Sequence, residues 1–134
     1  MSHAASSDIG ANSPISAVTA FDVATADAGD NLSSLAKTMN DNDIGALLIT
    51  GHNGDIAILT ERDLVRSLAE DTDAWAVDCM TRDVIIADAD TSIADAAETM
   101  LVAGVRHLVI RRSDGSLGIA SMRDLIGPLL DELG

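Results

Sequence analysis

The sequence predicts an α+β fold made of two tandem β-α-β-β-α units packed with pseudo-twofold symmetry. Three observations lead there. First, Ile56-Ala57-Ile58-Leu59-Thr60-Glu61-Arg62-Asp63-Leu64 returns 61 residues later as Leu117-Gly118-Ile119-Ala120-Ser121-Met122-Arg123-Asp124-Leu125. The same gapless offset pairs Asp22 with Asp83, Met39 with Met100 and Gly54 with Gly115, and 15 of the 43 positions from Asp22 to Leu64 are identical to their counterparts. An internal repeat of this kind decides the architecture before any local reading does. Second, each copy alternates short apolar runs of strand type with stripes of helical period. Third, a unit of about 45 residues is too small to bury a core alone, so two must pack together, sheet against sheet.

The first copy opens with Val23-Ala24-Thr25-Ala26, a short strand. Asp27, Gly29, Asp30 and Asn31 mark a turn and a helix start. Leu32, Leu35, Ala36 and Met39 then fall at i, i+3, i+4 and i+7, the stripe of an amphipathic helix that ends over Asn40 to Asp43. Ile44 to Thr50 reads as a buried strand. The Asn53-Gly54 pair signals a hairpin, and Ile56 to Leu59 is the return strand. Thr60 caps a second helix, with Leu64, Val65 and Leu68 on its buried face.

The second copy repeats each step. Val84 to Ala87 is the strand, Ile93, Ala96, Ala97 and Met100 form the stripe, and Val105 to Ile110 is the next strand. Asp114-Gly115 turns the chain into Leu117 to Ala120, and Ser121 caps a last helix burying Leu125, Ile126, Leu129 and Leu130. Pro128 falls inside that helix, where a bend or an early end is expected. Residues 1–13 read as a disordered tail, 14–72 as the first repeat, 73–82 as linker and lead-in, and 83–134 as the second repeat. The lead-in Pro14 to Phe21 corresponds to Trp75 to Arg82 at the same offset, and Trp75 is expected to pack across the seam between the copies.

Composition bounds the function. Apolar residues make up 47% of the chain, yet Phe21 and Trp75 are its only aromatics, so the core is aliphatic with methionine. The net charge is -14 with a single lysine, Lys37. Such a surface repels nucleic acid and acidic membranes, whose affinity rests on Lys and Arg neutralising phosphates. A small anionic ligand needs only a local cluster of donors and stays open. The acidity serves solubility or a salty cytoplasm; composition does not separate the two. Cys79 is the lone cysteine, which precludes an intrachain disulfide and fits a reducing compartment. No apolar run approaches the ~18 residues of a membrane span, and Met1 to Ser13 lacks the basic and apolar regions of a signal peptide. The expected location is the cytoplasm.

The β-α-β-β-α unit, its duplication and the Gly/Ala-Ile-x-Thr/Ser-x-x-Asp-Leu signature resemble the CBS domain pair, or Bateman module, over residues 14–132. Asp43-Ile44-Gly45-Ala46-Leu47, Thr60-Glu61-Arg62-Asp63-Leu64 and Gly104-Val105-Arg106-His107-Leu108 are phrases typical of that family. Two departures stand out. The proline that often follows the leucine is Leu48 and Val109 here, and the signature glycine is Ala57 in copy one but Gly118 in copy two. The resemblance implies a stand-alone sensor of AMP, ADP, ATP or S-adenosylmethionine, with no required cofactor. It implies a homodimer through its helices, clefts between the copies and an unidentified protein target. Carried over by position, Asp63 and Asp124 would accept from ribose hydroxyls. Thr60 and Ser121 would bond phosphate or ribose. Ile44, Gly45 and Ala46, and Val105, Arg106 and His107, would line the clefts.

The spacing makes physical sense either way. Thr60 and Asp63 sit at the N-cap and N3 positions of one helix, where free N–H groups and the positive dipole end favour phosphate. Ser/Thr-x-x-acid is equally a variant of the capping box, which contributes about 1 kcal/mol to a helix with no ligand at all. Arg62 and Arg123 either hold phosphate or neutralise nearby carboxylates. Arg106 and His107 have no basic counterparts, since Gly45 and Ala46 stand there in copy one, so the two sites are expected to differ in anion affinity. Met39 and Met100 belong to the core or a dimer interface, and Cys79 reads as inert. His3, His52 and His107 are too scattered for a metal site. No activated nucleophile or acid/base pair is legible, so the expectation is a non-enzyme. The rival reading is a dimerisation or protein-interaction module whose motifs only cap helices.

Overall fold

A computed structural model describes residues 9–51, 54–70 and 74–133, with side chains up to residue 130. The expected tail over 1–8, His52 and Asn53 of the first hairpin turn, and linker residues 71–73 lie outside the described residues. In chain order, a 3-10 turn (Ile15–Val18) precedes β1 (Thr25–Asp27), α1 (Leu32–Asn42), β2 (Ala46–Thr50), β3 (Ile56–Thr60) and α2 (Glu61–Glu70). The one-turn α3 (Ala76–Cys79) leads to β4 (Ile86–Asp88), α4 (Ile93–Ala103), β5 (His107–Arg111), β6 (Leu117–Ser121) and α5 (Met122–Leu133). Each copy forms a three-stranded sheet, β1-β2-β3 and β4-β5-β6, with a parallel first pair and an antiparallel second pair.

The helices begin and end where the chain offers the right groups. The Asn31 side chain accepts from the Ser33 and Ser34 N–H groups at the start of α1, and Ser92 accepts from Asp95 N–H at the start of α4. Leu32, Leu35 and Met39, and likewise Ile93, Ala96 and Met100, turn inward. Both helices stop at a left-handed residue, Asp43 (φ 52°) and Gly104 (φ 71°). The parallel β1–β2 and β4–β5 pairs need such a crossover helix.

Contacts divide the chain into two compact units. One is continuous, Val23–Val84; the other joins the segment ending at Asp22 to the stretch from Ile85 onward. The second unit is therefore a circular permutation of the first. In the continuous unit Leu32, Leu35, Met39, Leu47, Ile49, Leu59 and Leu64 form the core, with Ala76 of α3 buried among them. Thr81 closes the outer edge of β3: Thr81 N–H donates to Ile58 O (2.8 Å) and Ile58 N–H to Thr81 O (3.0 Å). In the permuted unit Ile15 is fully buried with Ile93, Met100, Leu108, Ile110 and Leu125. Ala20 closes β6 in the same way, exchanging bonds of 3.1 and 3.0 Å with Ile119. The 61-residue offset relates Ala20 to Thr81 and Ile15 to Ala76.

Several expectations need correction. Residues 9–13 are not a structureless tail, because the Ala11 and Ser13 carbonyls accept from Ala94 and Ile93, two of the otherwise free N–H groups of α4. β1 and β4 start at Thr25 and Ile86, two residues later than expected. β2 and β5 start at Ala46 and His107, because Ile44-Gly45 and Val105-Arg106 are used to leave the preceding helix. Val65 (68% exposed), Ile126 (54%) and Leu130 (58%) face outward, whereas Leu64 and Leu125 are buried. Val65 and Ile126 each follow a buried leucine, and one step along a helix turns a side chain by about 100°. α5 continues through Pro128 to Leu133. Trp75 is half exposed, its backbone N–H donating to Asp78 Oδ2 (3.1 Å) and its backbone bridging to Asn31.

Gly118 shows why the second copy keeps glycine where the first has Ala57. A Cβ at 118 would lie 2.6 Å from Ala20 O, 2.7 Å from Phe21 Cδ1 and 2.8 Å from Thr19 Cγ2. Phe21 is itself held beneath the Arg112 guanidinium, 3.5 Å from the ring centroid, so it has little room to give. Gly118→Ala is expected to lower stability in urea unfolding by about 1–3 kcal/mol through overpacking. An unchanged midpoint would contradict this packing.

Candidate functional site

The end of β3 and the start of α2 are one continuous turn, and so are β6 and α5. A helix that starts directly from a strand leaves its first N–H groups to be satisfied locally. Glu61 N–H donates to Gly45 O (3.0 Å), and Met122 N–H to Arg106 O (2.8 Å). The strand register sets Ala46 opposite Thr60 and His107 opposite Ser121. The fold thus brings Ile44, Gly45 and Ala46 beside Thr60, Arg62 and Asp63. In the same way it brings Val105, Arg106 and His107 beside Ser121, Arg123 and Asp124.

In the first copy the capping box is reciprocal. Thr60 N–H donates to Asp63 Oδ2 (3.1 Å), and Asp63 N–H donates to Thr60 Oγ1 (3.3 Å). In the second copy Ser121 N–H donates to Asp124 Oδ2 (3.0 Å). Both acids cap their helices, and in each the other oxygen, Oδ1, accepts no hydrogen bond among the described residues. One face of each carboxylate therefore remains available at a helix N-terminus, beside free N–H groups and the positive end of the dipole.

The arginines near the two helix starts form no ion pair with a described carboxylate. Among the described residues the ion pairs are Lys37–Asp41 (2.9 Å) and Arg111–Asp88 (3.6 Å), and neither Arg62, Arg106 nor Arg123 forms one. Arg62, Arg106 and Arg123 are exposed, and His107 is half buried. Arg62 also borders a shallow depression along α2 with Glu61, Val65 and Arg66. Among the described residues no cluster of three His, Cys, Asp or Glu can hold a metal ion, and no helix is long and apolar enough to cross a membrane. Burial raises the Cys79 thiol above its ordinary value, against a smaller lowering by a hydrogen bond with Ser67. A raised thiol is a poor nucleophile at neutral pH.

Two contributors escape a reading of the sequence alone. Thr81 Oγ1 donates to Asp63 Oδ2 (3.3 Å) from 18 residues away, while the matching position in the permuted unit is Ala20, which has no hydroxyl. The Glu61 carboxylate lies over Gly45, where a Cβ would meet Glu61 Oε1 at 2.8 Å. The 61-residue offset pairs these positions with their counterparts, yet gives no sign that the side chains reach one another.

Two stretches of the chain, residues 15–70 and 76–131, match the family model described as CBS domain. An uncharacterized 17.7 kDa protein of Acidianus ambivalens is 41% identical over 103 residues, which are 75% of this chain and 63% of that protein. The chain spans between 30% and 63% of the length of the curated relatives it matches. A CBS domain protein from Pyrobaculum aerophilum complexed with AMP superposes with a TM-score of 0.70 at 24% identity, over 83% of this chain and 88% of that one. A CBS domain pair in complex with 5'-methylthioadenosine and S-adenosyl-L-methionine gives 0.71 at 22% identity, over 84% and 96%.

The unequal caps predict unequal stability effects. Asp63→Ala removes a reciprocal cap and the Thr81 contact, and is expected to cost about 1–2 kcal/mol. Asp124→Ala removes one capping bond and is expected to cost about half as much. Urea unfolding of both variants checks the order; a larger loss in Asp124→Ala would contradict it.

Proposed function

Because this chain belongs to the CBS domain family, we propose that it is a non-catalytic regulatory module that binds an adenine nucleotide or adenosyl ligand. The observation that carries the proposal is the capping carboxylate with one oxygen left over. In this reading Asp63 Oδ1 and Asp124 Oδ1 accept a vicinal diol, next to helix N–H groups that favour phosphate. AMP and S-adenosylmethionine in neighbours of the same fold support the choice of ligands. The candidates are AMP, ADP, ATP and S-adenosylmethionine. Binding shifts the module between states only by its differential affinity for them, and the shift passes to a protein target. A cytoplasmic setting accords with the single, unpaired Cys79.

A second reading, an interaction module without a ligand, is favoured by the first copy's cap already being complete as a cap. Calorimetric titration with the four candidate ligands, beside Asp63→Ala and Asp124→Ala, separates the two. Micromolar binding of one ligand, about -8 kcal/mol, abolished by one of the substitutions, is the expected result. Four flat titrations would leave the interaction module standing and overturn the sensor.

We also propose a homodimer formed through the helices. Val65 on α2, Ile126 and Leu130 on α5, and Leu101 and Val102 on α4 are exposed at 54–83%. Apolar side chains grouped on helix faces mark interaction surfaces. Light scattering is expected to give twice the 13.8 kDa chain mass, reduced to the chain mass by Ile126→Asp. A monomeric wild-type protein would refute this.

A further inference from the structure

We propose that two copies of this chain pair head to tail, with the basic outer face of α2 on one copy against the acidic and apolar outer face of α4 on the other. The inference rests on the homodimer reading above and says which face meets which. It comes from charged side chains that form no ion pair among the described residues.

On α2, Arg62, Val65, Arg66 and Ala69 fall at i, i+3, i+4 and i+7, and all four are exposed. They form one stripe on the side of the helix away from the buried Leu64. Both arginines border the shallow depression on that face. Of the acids at that helix start, Asp63 caps the helix and Glu61 lies over Gly45. On α4, Asp95, Glu98 and Val102 fall at i, i+3 and i+7, with Leu101 three residues after Glu98. All four are exposed, Leu101 at 71% and Val102 at 83%.

The 61-residue offset shows how the two faces diverged. Ser34, Lys37, Asn40 and Asp41 stand in the first copy where the second has Asp95, Glu98, Leu101 and Val102. Gly127 stands in the second where the first has Arg66. Lys37 is held by Asp41 at 2.9 Å, so the first copy's counterpart of the α4 face is polar and internally paired. Duplication has thus left a positive face on one repeat and a negative one on the other.

Burial does not choose between arrangements, because it is non-directional and scales with apolar area. Leu101 and Val102, with Ile126 and Leu130 on the adjoining α5, are covered in either. Head to tail, they meet Val65, Ala69 and the aliphatic stems of the two arginines. Charge does choose. Like on like sets Arg62 and Arg66 against their own copies, and Asp95 and Glu98 against theirs. Head to tail sets the arginines against the acids and avoids the heavy cost of like charges brought together in an interface. Repeated about a twofold axis, the contact occurs twice and closes into a dimer.

The test is the mass of the intact chain in solution, by light scattering at micromolar concentration and low salt. Wild-type protein is expected at twice the 13.8 kDa chain mass, with a dissociation constant that rises with salt. Arg62→Glu with Arg66→Glu should weaken the dimer about a hundredfold. Asp95→Arg with Glu98→Arg should do the same, and all four substitutions in one chain should restore the dimer. The four side chains are exposed, so an unchanged thermal midpoint shows that the variants remain folded. A dimer untouched by reversing the arginines, or not restored in the fourfold variant, would overturn the head-to-tail pairing while leaving the homodimer in place. A monomeric wild-type chain removes the homodimer reading and this inference with it, and leaves both faces to a different protein.

Discussion

The paired backbone bonds between Ala20 and Ile119 set the terms for the second half of the molecule, as those between Thr81 and Ile58 do for the first. A three-stranded sheet has an outer strand whose N–H and C=O groups invite pairing with anything nearby. Here a lead-in segment satisfies part of that edge. The same segment then delivers Ile15 or Ala76 into the core and donates to the turn ahead of the long helix. For the continuous unit this segment follows the repeat; for the permuted one it precedes everything else. Gly118, the burial of Ile15 and the ordering of residues 11–13 all follow from that one connection.

The edge closure also positions the chemistry. Thr81 reaches Asp63 only because its own backbone is pinned to Ile58 in the middle of β3. Ala20 is pinned at the matching place and has no hydroxyl to offer, so the same architecture yields an engaged carboxylate in one copy and a freer one in the other. With Glu61 over Gly45 on one side and an Arg106 that forms no ion pair among the described residues on the other, duplication has left two helix starts that differ in local charge. Divergence of this kind asks little of the fold, since the exposed positions bear few packing constraints, whereas the buried Met39 and Met100 remain identical.

Much of this was legible from residues alone. The gapless offset predicts the element order, the two sheets and the methionine cores, because repeated apolar periods demand repeated packing. The pairing of residues 44–46 with 60–63, and of 105–107 with 121–124, follows once hairpin strands are placed. What escaped was set by geometry beyond the local pattern. Val65, Ile126 and Leu130 are apolar, but a helix of this width buries a single stripe, and periodicity did not say on which side of Leu64 and Leu125 it fell. The hydrogen bond from Thr81 to Asp63 joins residues 18 apart, and the placement of Glu61 over Gly45 depends on one rotamer. Residues 9–13 looked featureless because their value lies in their carbonyls, which every residue has.

The proposed function has an adenosine ligand rest on a carboxylate that caps a helix following a strand. A crystal structure grown with AMP tests this most directly. The proposed function predicts the ribose diol on Asp63 Oδ1 or Asp124 Oδ1, with the phosphate against the first N–H groups of the same helix. Density for AMP away from both helix starts would contradict it.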